Sequence, residues 1–543
     1  MSSSTLLDLD RPSTSSTNTN TTTTTTFSNL DVANLRNVNG STKPAAMAPS
    51  AVDLLLLTYN CAKTLVNANI FANHVHTALT NHATTLPDIV VFSIQEIAPL
   101  STSFTGRLDD YYARLERALN LAAQRHEQNG AASWEEPLIS VAQTNSVTES
   151  AKPQDRPYTI VDKRNVGYTA ILVFTRDPER IRDVQHGDVG FGAAEMGNKG
   201  AVSVRILYDV DGTGAASTEM TFVATHLAAM EWNLARRNAN WAAIMQRLTF
   251  SNPEAILDRL RGPEGTPPPT PHQSDDDSDA STERHRLLHE THHEEHLQVR
   301  RAMHNISVFK PSSHLFVLGD LNYRISTSSP PPNAVFPSLD PDSENYYPTF
   351  LPFDQLTRER HAGRTMHGLT EHEIRFPPTY KYDVLPKESP VADEDELEVP
   401  WKFAPHRYPS WTDRILYLDL PPWVKSRSDS PKMRVLAYDA LPLLRNSDHR
   451  PVYLRMQVPL IAPKDLSPPA SIEQNPDIES IKDPRVRLPV EIDPEAWSRR
   501  HAARQKELVT GWSAFLWTTK EGAWILTTML AVGLTTWWLY KTG

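Results

Sequence analysis

Eight short apolar runs between residues 53 and 456 constrain the fold of this 543-residue chain more than any other feature. In chain order they read DLLLLTY, DIVVFSIQE, GYTAILVF, GAVSVRI, MTFVATHL, HLFVLGDL, DRILYL and RPVYLRM. Each has the length and composition of a β-strand, and several follow one another without an intervening helix. Helix-like stretches such as DDYYARLERALNLAAQRH separate others. The pattern predicts an α/β (α+β) protein with two packed mixed β-sheets and helices outside them.

Polar residues stand at the ends of these apolar runs. Asp320 and Asn322 follow FVLG, and a turn would account for them on their own, because Asp and Asn favour turns. The other run ends carry similar residues, namely Asn60, Gln95, Glu96, His226, Asp413, Arg414, Ser447, Asp448 and His449. Packing does not require so many polar ends, so we expect one rim of a sheet to form a functional site.

These residue types suit metal-assisted hydrolysis of a phosphate ester. A hard cation such as Mg²⁺ prefers oxygen ligands, and Glu96 is the natural first ligand. Histidine and lysine can bind an anionic phosphate, and a carboxylate can position or deprotonate a water. Two other phosphate chemistries lack their motifs, because no arginine follows Cys61 at the C-x5-R spacing and the sequence has no glycine-rich P-loop.

Charge and cysteine content argue against further kinds of protein and site. The net charge of −11 argues against a protein that binds nucleic acid over a broad surface. Cys61 is the single cysteine, so the chain can form no intramolecular disulfide and no cysteine-rich zinc site. A single cysteine also agrees with a reducing compartment.

A set of motifs in fixed order resembles the inositol polyphosphate 5-phosphatases. The motifs are LLTYNCA, FSIQEI, GFGAAEMGNKGAVSVRI, FVATHLAA with RRNANW, VLGDLNYRI, FPPTYKYD, PSWTDRILY and NSDHRPV. They cover residues 52–457, and VLGDLNYRI with PSWTDRILY is specific to this family. The resemblance implies the fold of the endonuclease/exonuclease/phosphatase superfamily, a two-sheet α/β sandwich, and Mg²⁺-dependent hydrolysis of a 5-phosphate.

The resemblance also implies catalytic roles at the run ends. Asp320 is expected to activate the attacking water, and Asn322 to orient that water and hold the phosphoryl group. His449, paired with Asp413, is expected to contact the scissile phosphate and stabilise charge in the transition state. His226 is expected to contact the same phosphate from the other side.

Metal and substrate residues are implied in the same way. Glu96 is the expected Mg²⁺ ligand, with Asn60 and Asp448 as further ligands. The residues expected to bind substrate are Asn198, Lys199, Tyr380, Lys381, Arg407 and Arg414. Two of these have alternatives, since Lys199 could be an exposed turn lysine and Arg414 could hold Asp413 in place.

One departure from the family pattern concerns the substrate. Members of the family often carry Lys-Arg before the PSWTDRI motif, whereas here His406 precedes Arg407. Tyr380 and Lys381 resemble the family's contacts to the 4-phosphate of inositol. His406 therefore puts the ranking of substrates in question more than the activity itself.

The chain divides by composition into a catalytic domain and flanking segments. Residues 1–50 are predicted to be a disordered Ser/Thr-rich tail, and residues 51–458 the catalytic domain. Within the domain, we expect a disordered insertion at about 262–296 and an acidic loop at about 384–400. Residues 459–521 are predicted to be a proline-rich linker that ends in a basic juxtamembrane segment.

Histidines in the insertion offer an alternative metal site. His289, His292, His293 and His296 lie close together, and the spacing of His292 and His296 fits one face of a helix. Glutamate neighbours and low complexity favour a solvated helix instead.

Residues 522–540 carry no charge and predict a single transmembrane helix. The segment is long enough to cross about 30 Å of hydrocarbon as a helix. Trp524 lies near one end and Trp537, Trp538 and Tyr540 near the other, as in an aromatic belt. Basic residues precede the segment, so we expect a C-terminal tail anchor with the catalytic domain in the cytosol. The endoplasmic reticulum is the first expected membrane and the mitochondrial outer membrane the second.

The sequence thus predicts a Mg²⁺-dependent phosphoinositide 5-phosphatase. Phosphatidylinositol 4,5-bisphosphate is the first expected substrate, because a membrane anchor concentrates the enzyme where lipid lies. Nucleic acid is not an expected partner. The alternatives are another phosphodiesterase or nuclease of the superfamily, and a catalytically inactive membrane tether.

Overall fold

A computed structural model describes residues 51–132, 156–261, 297–386, 399–473 and 481–542. The predicted tail at 1–50, the predicted insertion at 262–296 with its four histidines, and most of the predicted acidic loop lie outside the described residues.

The described ranges contain fourteen strands. They are β1 (Ala51–Asn60), β2 (Ile89–Gln95), β3 (Thr159–Val166), β4 (Thr169–Thr175), β5 (Ile181–Gly190), β6 (Gly200–Asp209), β7 (Ser217–His226), β8 (Ser313–Asp320), β9 (Leu369–Thr370), β10 (Tyr382–Val384), β11 (Trp401–Phe403), β12 (Asp413–Leu418), β13 (Arg434–Ala440) and β14 (Val452–Pro459). Twelve of them form two six-stranded sheets, while β10 and β11 form a separate ribbon.

The two large sheets have the same pattern of strand pairing. The first sheet has the order β13-β14-β1-β2-β4-β3, and the second has β5-β6-β7-β8-β12-β9. In each, one parallel pair lies at the centre, β1 with β2 and β7 with β8, and the other pairings are antiparallel. The predicted fold class of two mixed sheets is confirmed.

The longer helices lie outside the sheets. Their bounds are α1 (Ala68–Thr80), α2 (Leu100–Thr105), α3 (Asp109–Ala132), α4 (Leu234–Arg247), α5 (Pro253–Arg261), α6 (297–306), α7 (Gln355–His361), α8 (Pro422–Lys425), α9 (Pro463–Leu466), α10 (Ala470–Glu473), α11 (Ala496–Thr518) and α12 (Lys520–Thr542). Short 3₁₀ turns occur at Pro178–Arg180, Ala193–Glu195, Glu231–Asn233 and Tyr347–Phe353.

Strand β1 shows how the sequence produces the layers. Its Leu55 and Leu57 pack with helices α1 and α3, whereas Leu54 and Leu56 pack against the second sheet. A strand that is covered on both faces needs a continuous apolar run rather than an alternating one. The run DLLLLTY therefore lies at the centre of a four-layer arrangement of helices, sheet, sheet and helices.

Strand register brings the polar ends together at one rim. Asn60 at the end of β1 pairs with Gln95 at the end of β2. In the second sheet, Asp320 at the end of β8 pairs with His226 on β7 and with Asp413 on β12. His226, Asp320 and Asp413 thus lie side by side across three strands, and we refer to them as the Asp320 row.

The predicted linker at 459–521 differs from the structure. Arg485, Val486 and Ile492 are buried, and α11 packs along α2, with Ala503 and Gly511 in the buried face. Gly511 permits this contact, because a Cβ there would lie 2.7 Å from Phe104 Cβ. Prolines marked the segment as a linker, yet its small residues allow close packing against the catalytic domain.

Helix α12 differs from α11 in its surroundings. Among the residues that the structure describes, Gly522 is the one buried residue of α12, and its tryptophans are exposed. By length and composition, α12 is the one helix of the described residues that could cross a membrane.

Candidate active site

The polar strand ends surround a cavity of about 220 Å³ at the rim of the two sheets. The residues that line it are Asn60, Glu96, Lys199, His226, Ala229, Asp320, Asn322, Arg324, Tyr380, Lys381, Asp448 and His449. Ten of the fourteen predicted site residues are in this set, and they come from both sheets. The structure therefore brings together residues that are up to 389 positions apart in the sequence, from Asn60 to His449.

Asp320 lies at the centre of the site and is almost fully buried. Its Oδ2 is 3.2 Å from His226 Nε2, 3.2 Å from Asn60 Nδ2 and 3.9 Å from His449 Nε2. Its Oδ1 accepts a hydrogen bond of 3.1 Å from the backbone N–H of Asn322. These contacts fix the carboxylate from four directions.

Electrostatics keep Asp320 ionised. Burial raises the pKa of this carboxyl group, but His449, His226 and Lys199 outweigh burial and hold the pKa well below its usual range. The site therefore contains a permanent negative charge that faces several positive groups.

His449 and Asp413 form a buried pair beside Asp320. His449 Nδ1 is 2.9 Å from Asp413 Oδ2, which also accepts hydrogen bonds from Thr379 Oγ1 (2.7 Å) and Thr412 Oγ1 (2.8 Å). Burial lowers the pKa of His449, yet Asp413 and Asp320 raise it to about 10. His449 is thus protonated at neutral pH, with its Nε2 directed toward the cavity side of Asp320.

Glu96 and Asn60 supply oxygen atoms on the opposite side of the cavity. Glu96 has a positive φ of 47°, which turns the chain away from β2 at the rim. Burial raises the pKa of Glu96, but His226, Lys199 and Lys63 lower it below its ordinary value, and Lys63 Nζ lies 3.2 Å from Oε2. The Asn60 amide bridges Asp320 and the N–H of Ala62. Gln95 bonds instead to Thr58 and Ser93 inside the sheets.

Two lysines reach the cavity through different partners. Lys199 Nζ contacts His226 Nε2, and burial lowers the pKa of Lys199 to about 8. Burial also lowers the pKa of His226, and Lys199 lowers it further. Lys381 Nζ lies 2.5 Å from Asp448 Oδ2. The Tyr380 ring stacks on His449, with centroids 4.5 Å apart.

Arg324 is a cavity residue that the motif analysis did not single out. It follows Asn322 in GDLNYRI, donates to the Asn322 carbonyl and side chain, and lies 4.2 Å from the Tyr380 ring centroid. Its Nη1 is buried and has no hydrogen-bond partner among the described residues. The available sequence signal was its place in VLGDLNYRI, two residues after Asn322.

Three predicted residues lie outside the cavity lining, besides Asp413 behind His449. Arg414 is fully buried and bonds to Glu371 (2.6 Å) and Asp354 (3.0 Å), since it points to the opposite face of β12 from Asp413. Arg407 lies 3.3 Å from Glu231, and the preceding His406 is exposed.

Asn198, in the same loop as Lys199, packs over Gly192 rather than facing the cavity. A Cβ on Gly192 would lie 1.8 Å from Asn198 Oδ1. Glycine is therefore required at position 192 for this loop to close.

The chemistry of the donor set fits a divalent cation. Asp320, Asp413 and His449 each offer one ligand atom, and these atoms lie within 4.8 Å of one another. Asp413 and His449 are already hydrogen-bonded to each other, whereas Glu96, Asn60 and Asp448 add oxygen atoms at the cavity wall. Hard oxygen donors of this kind are typical of Mg²⁺ and Ca²⁺ sites.

A family model decides the relationship of the chain to known proteins. Residues 57–455 match Endonuclease/Exonuclease/phosphatase family 2. The chain belongs to this family. Its resemblance to the inositol polyphosphate 5-phosphatases is confirmed, and the matched residues include every cavity residue.

Similar members of the family include fungal and plant proteins. A polyphosphatidylinositol phosphatase of Saccharomyces cerevisiae is 27% identical over 370 residues, which is 68% of this chain and 23% of the relative. A type IV inositol polyphosphate 5-phosphatase of Arabidopsis thaliana is 29% identical over 297 residues, 54% of this chain and 33% of the relative. The chain thus spans about a quarter to a third of the length of these relatives.

A solved structure is also similar. It is the inositol polyphosphate 5-phosphatase domain of SpSynaptojanin in complex with inositol (1,4)-bisphosphate and calcium ion. The two chains are 20% identical with a TM-score of 0.45, and the match covers 75% of this chain and 84% of the other.

Proposed function

We propose that this protein is a Mg²⁺-dependent phosphoinositide 5-phosphatase that converts phosphatidylinositol 4,5-bisphosphate to phosphatidylinositol 4-phosphate. One observation carries the proposal: an ionised Asp320 is held between His226 and His449 in a cavity that Lys199, Arg324 and Lys381 also line. A water beside Asp320 and a phosphate beside the cations would be brought into contact there. The names of the relatives supply the substrate class.

Asp320 and Asn322 act on the nucleophile. The water oxygen forms a bond to phosphorus and gives one proton to Asp320, while the ester P–O bond breaks and the inositol oxygen leaves as a hydroxyl with a proton from protonated His449. Asp320 is ionised before the attack and can therefore accept the water proton, and Asn322 fixes the carboxylate through its backbone N–H. Such preorganisation removes orientational freedom before the reaction begins.

His449 and His226 act on the phosphoryl group. Protonated His449 places a positive charge where negative charge develops, and Asp413 keeps the ring oriented and charged. His226 approaches from β7 on the other side of Asp320. His449 regains its proton as Asp320 releases the one taken from the water, which restores both groups.

Mg²⁺ would be held by Glu96 and Asn60, with Asp448 nearby. When bound, it would neutralise charge on the phosphoryl oxygens. Asp448 fits this role less closely than Glu96, because its Oδ2 already contacts Lys381 at 2.5 Å.

Lys381 and Tyr380 provide the means to select phosphoinositides. The Lys381 ammonium group lies at the cavity wall beyond His449, where a second phosphate on the same inositol ring would lie. Arg407 and His406 are farther out, so we expect them to influence the ranking of substrates and not catalysis itself.

Helix α12 gives the proposed enzyme its membrane context. We propose that α12 spans a membrane once, with the catalytic domain in the cytosol, at the endoplasmic reticulum first and the mitochondrial outer membrane second. Exposed apolar side chains over its length support this proposal. Alkaline carbonate extraction and protease protection in sealed vesicles test it, because carbonate should not release the full-length protein and added protease should digest the catalytic domain.

Phosphate release from a lipid panel tests the activity. Full-length protein in mixed micelles should release phosphate from phosphatidylinositol 4,5-bisphosphate and none from phosphatidylinositol 4-phosphate. Cleavage of DNA, or release of choline phosphate from sphingomyelin, would favour another activity of the superfamily. No release from any substrate would favour an inactive tether.

A further inference from the structure

Helix α11 is connected to the active site through one buried carboxylate. We propose that Glu507 is a positioning residue that holds the loop of residues 191–199, which carries Lys199. Helix α11 would thereby be a functional part of the catalytic domain. This inference rests on the proposed function for its activity readout, whereas the contact itself does not.

Glu507 is the single acidic residue of α11, and it is fully buried. Its Oε1 accepts a hydrogen bond of 2.8 Å from the backbone N–H of Gly197. Arg500 Nη1 lies 2.7 Å from the same oxygen, and Arg504 Nη1 lies 3.1 Å from Oε2. A buried charge needs such partners, so the two arginines allow a carboxylate to reach the Gly197 amide inside the protein.

Gly197 is held by hydrogen bonds at both its N–H and its carbonyl. Its carbonyl accepts a hydrogen bond of 3.1 Å from the N–H of Tyr168, and its N–H donates to Glu507. The backbone approach is close, because a Cβ at position 197 would lie 2.7 Å from the nitrogen of Gly167. Glu507 is therefore the side-chain anchor of a point in the loop that is otherwise held by backbone alone.

Only two residues separate this anchor from strand β6. Asn198 and Lys199 connect Gly197 to Gly200, the first residue of β6. Lys199 then extends into the cavity and contacts His226. Because so short a segment cannot absorb a shift, movement of Gly197 would move the Lys199 ammonium group relative to the bound phosphate.

A double-mutant cycle with Lys199 tests this connection in the full-length protein. Glu507→Ala should lower kcat/KM for phosphatidylinositol 4,5-bisphosphate by about 10- to 100-fold, as a displaced positioning group does. In a Lys199→Ala background, the same change should lower kcat/KM by less than about two-fold, because Glu507 acts through Lys199. A general loss of stability would instead reduce activity equally in both backgrounds, and that result would overturn the proposal.

Two further variants separate the hydrogen bond from the charge and from helix packing. Glu507→Gln keeps an oxygen that can accept from Gly197, so it should retain most of the activity, whereas an equal loss in Glu507→Gln and Glu507→Ala would contradict the proposed contact. Glu495→Gln, which removes an exposed carboxylate next to Arg499, should leave kcat/KM unchanged. If Glu507→Ala does not fold, Glu507→Met fills the same space without an acceptor.

Hydrogen exchange gives a readout that does not depend on the proposed activity. In Glu507→Ala or Glu507→Met, amide exchange should become faster in the peptide that covers 191–199 and remain unchanged in strand β1. Unchanged exchange in 191–199 would overturn the inference even if the enzyme is active. Conversely, a wild-type protein without phosphatase activity but with this exchange difference would contradict only the proposed function.

Discussion

The two sheets share one pattern of strand pairing but contribute to the site in different ways. The second sheet contributes the Asp320 row, whose members sit on adjacent strands in register. The first sheet contributes Glu96, Asp448 and His449 mainly from loops just beyond its strand ends. Side chains on a hydrogen-bonded ladder are held more rigidly than side chains on loops.

In the proposed mechanism, this difference assigns the chemistry to the second sheet and the binding of a cation to the first. Asp320, the proposed base, lies on the hydrogen-bonded ladder of the second sheet. Glu96, the proposed metal ligand, itself has a left-handed backbone conformation just beyond β2. His449 connects the two rims, because it precedes β14 of the first sheet and bonds to Asp413 of the second. The predictions below test this division.

The largest effect is expected at the centre of the Asp320 row. Asp320→Ala should lower kcat by about 10²- to 10⁴-fold, because the attacking water loses the carboxylate that holds and activates it. Phosphate release and circular dichroism of the purified variant measure activity and folding. Asp419→Asn, an exposed carboxylate paired with Lys425, is the matched control. A folded Asp320→Ala protein with more than about a tenth of wild-type kcat would contradict the role.

A large effect on stability is expected at Arg414, the residue after Asp413 in β12. Arg414→Met leaves Glu371 and Asp354 buried without their partner and should lower the free energy of unfolding by about 3–5 kcal/mol. Urea denaturation measures this change. Arg375→Gln breaks an exposed pair with Glu373 and should leave the free energy of unfolding nearly unchanged. If Arg414→Met keeps wild-type stability but loses activity, Arg414 binds substrate instead.

On the first sheet, Glu96 should govern metal dependence. Glu96→Ala should raise the Mg²⁺ concentration for half-maximal activity by about 10- to 100-fold, because a ligand is lost while the Asp320 row stays intact. Titration with Mg²⁺ after chelation measures the shift. Full activity of the wild type in excess EDTA would exclude the metal, and an unchanged Mg²⁺ requirement in the variant would exclude Glu96 as a ligand.

The smallest expected effect is a change in the pH dependence of activity when Asp413, the partner of His449, is replaced. Asp413 and Asp320 raise the pKa of His449 to about 10, so the ring is charged at neutral pH and loses its charge as pH rises through about 10. Lys199, with a pKa of about 8, titrates first in the wild type. In Asp413→Asn the pKa of His449 should fall, and the alkaline decline of kcat/KM should begin below that of the wild type. The rate profile responds once the pKa of His449 falls below that of Lys199, about 8, so NMR titration of the His449 imidazole is the deciding measurement. An unchanged pKa of this imidazole in Asp413→Asn would show that Asp413 does not maintain the charge.

Sequence alone predicted the sheets and most of the cavity, because apolar runs and their polar ends are local patterns. The partners of a side chain are not local. Strand alternation places Asp413 and Arg414 on opposite faces of β12, but nothing in DRILYL indicates that Asp413 meets His449 and Arg414 meets Glu371 and Asp354, which lie far away in the sequence. The packing of α11 could not be predicted for the same reason, because the partner of Glu507 is Gly197, 310 residues earlier. The prolines that precede α11 indicated a linker, and helix propensity does not show which face of α11 is buried.

The most direct test follows the oxygen of the attacking water. Full-length protein converts phosphatidylinositol 4,5-bisphosphate in ¹⁸O-labelled water, and mass spectrometry identifies the lipid product and the position of the label. The account predicts phosphatidylinositol 4-phosphate as product, with one ¹⁸O in the released phosphate and none in the inositol ring, and loss of both products in Asp320→Ala. Phosphatidylinositol 5-phosphate as product, or label on the inositol hydroxyl, would contradict water attack on the 5-phosphate at the Asp320 row.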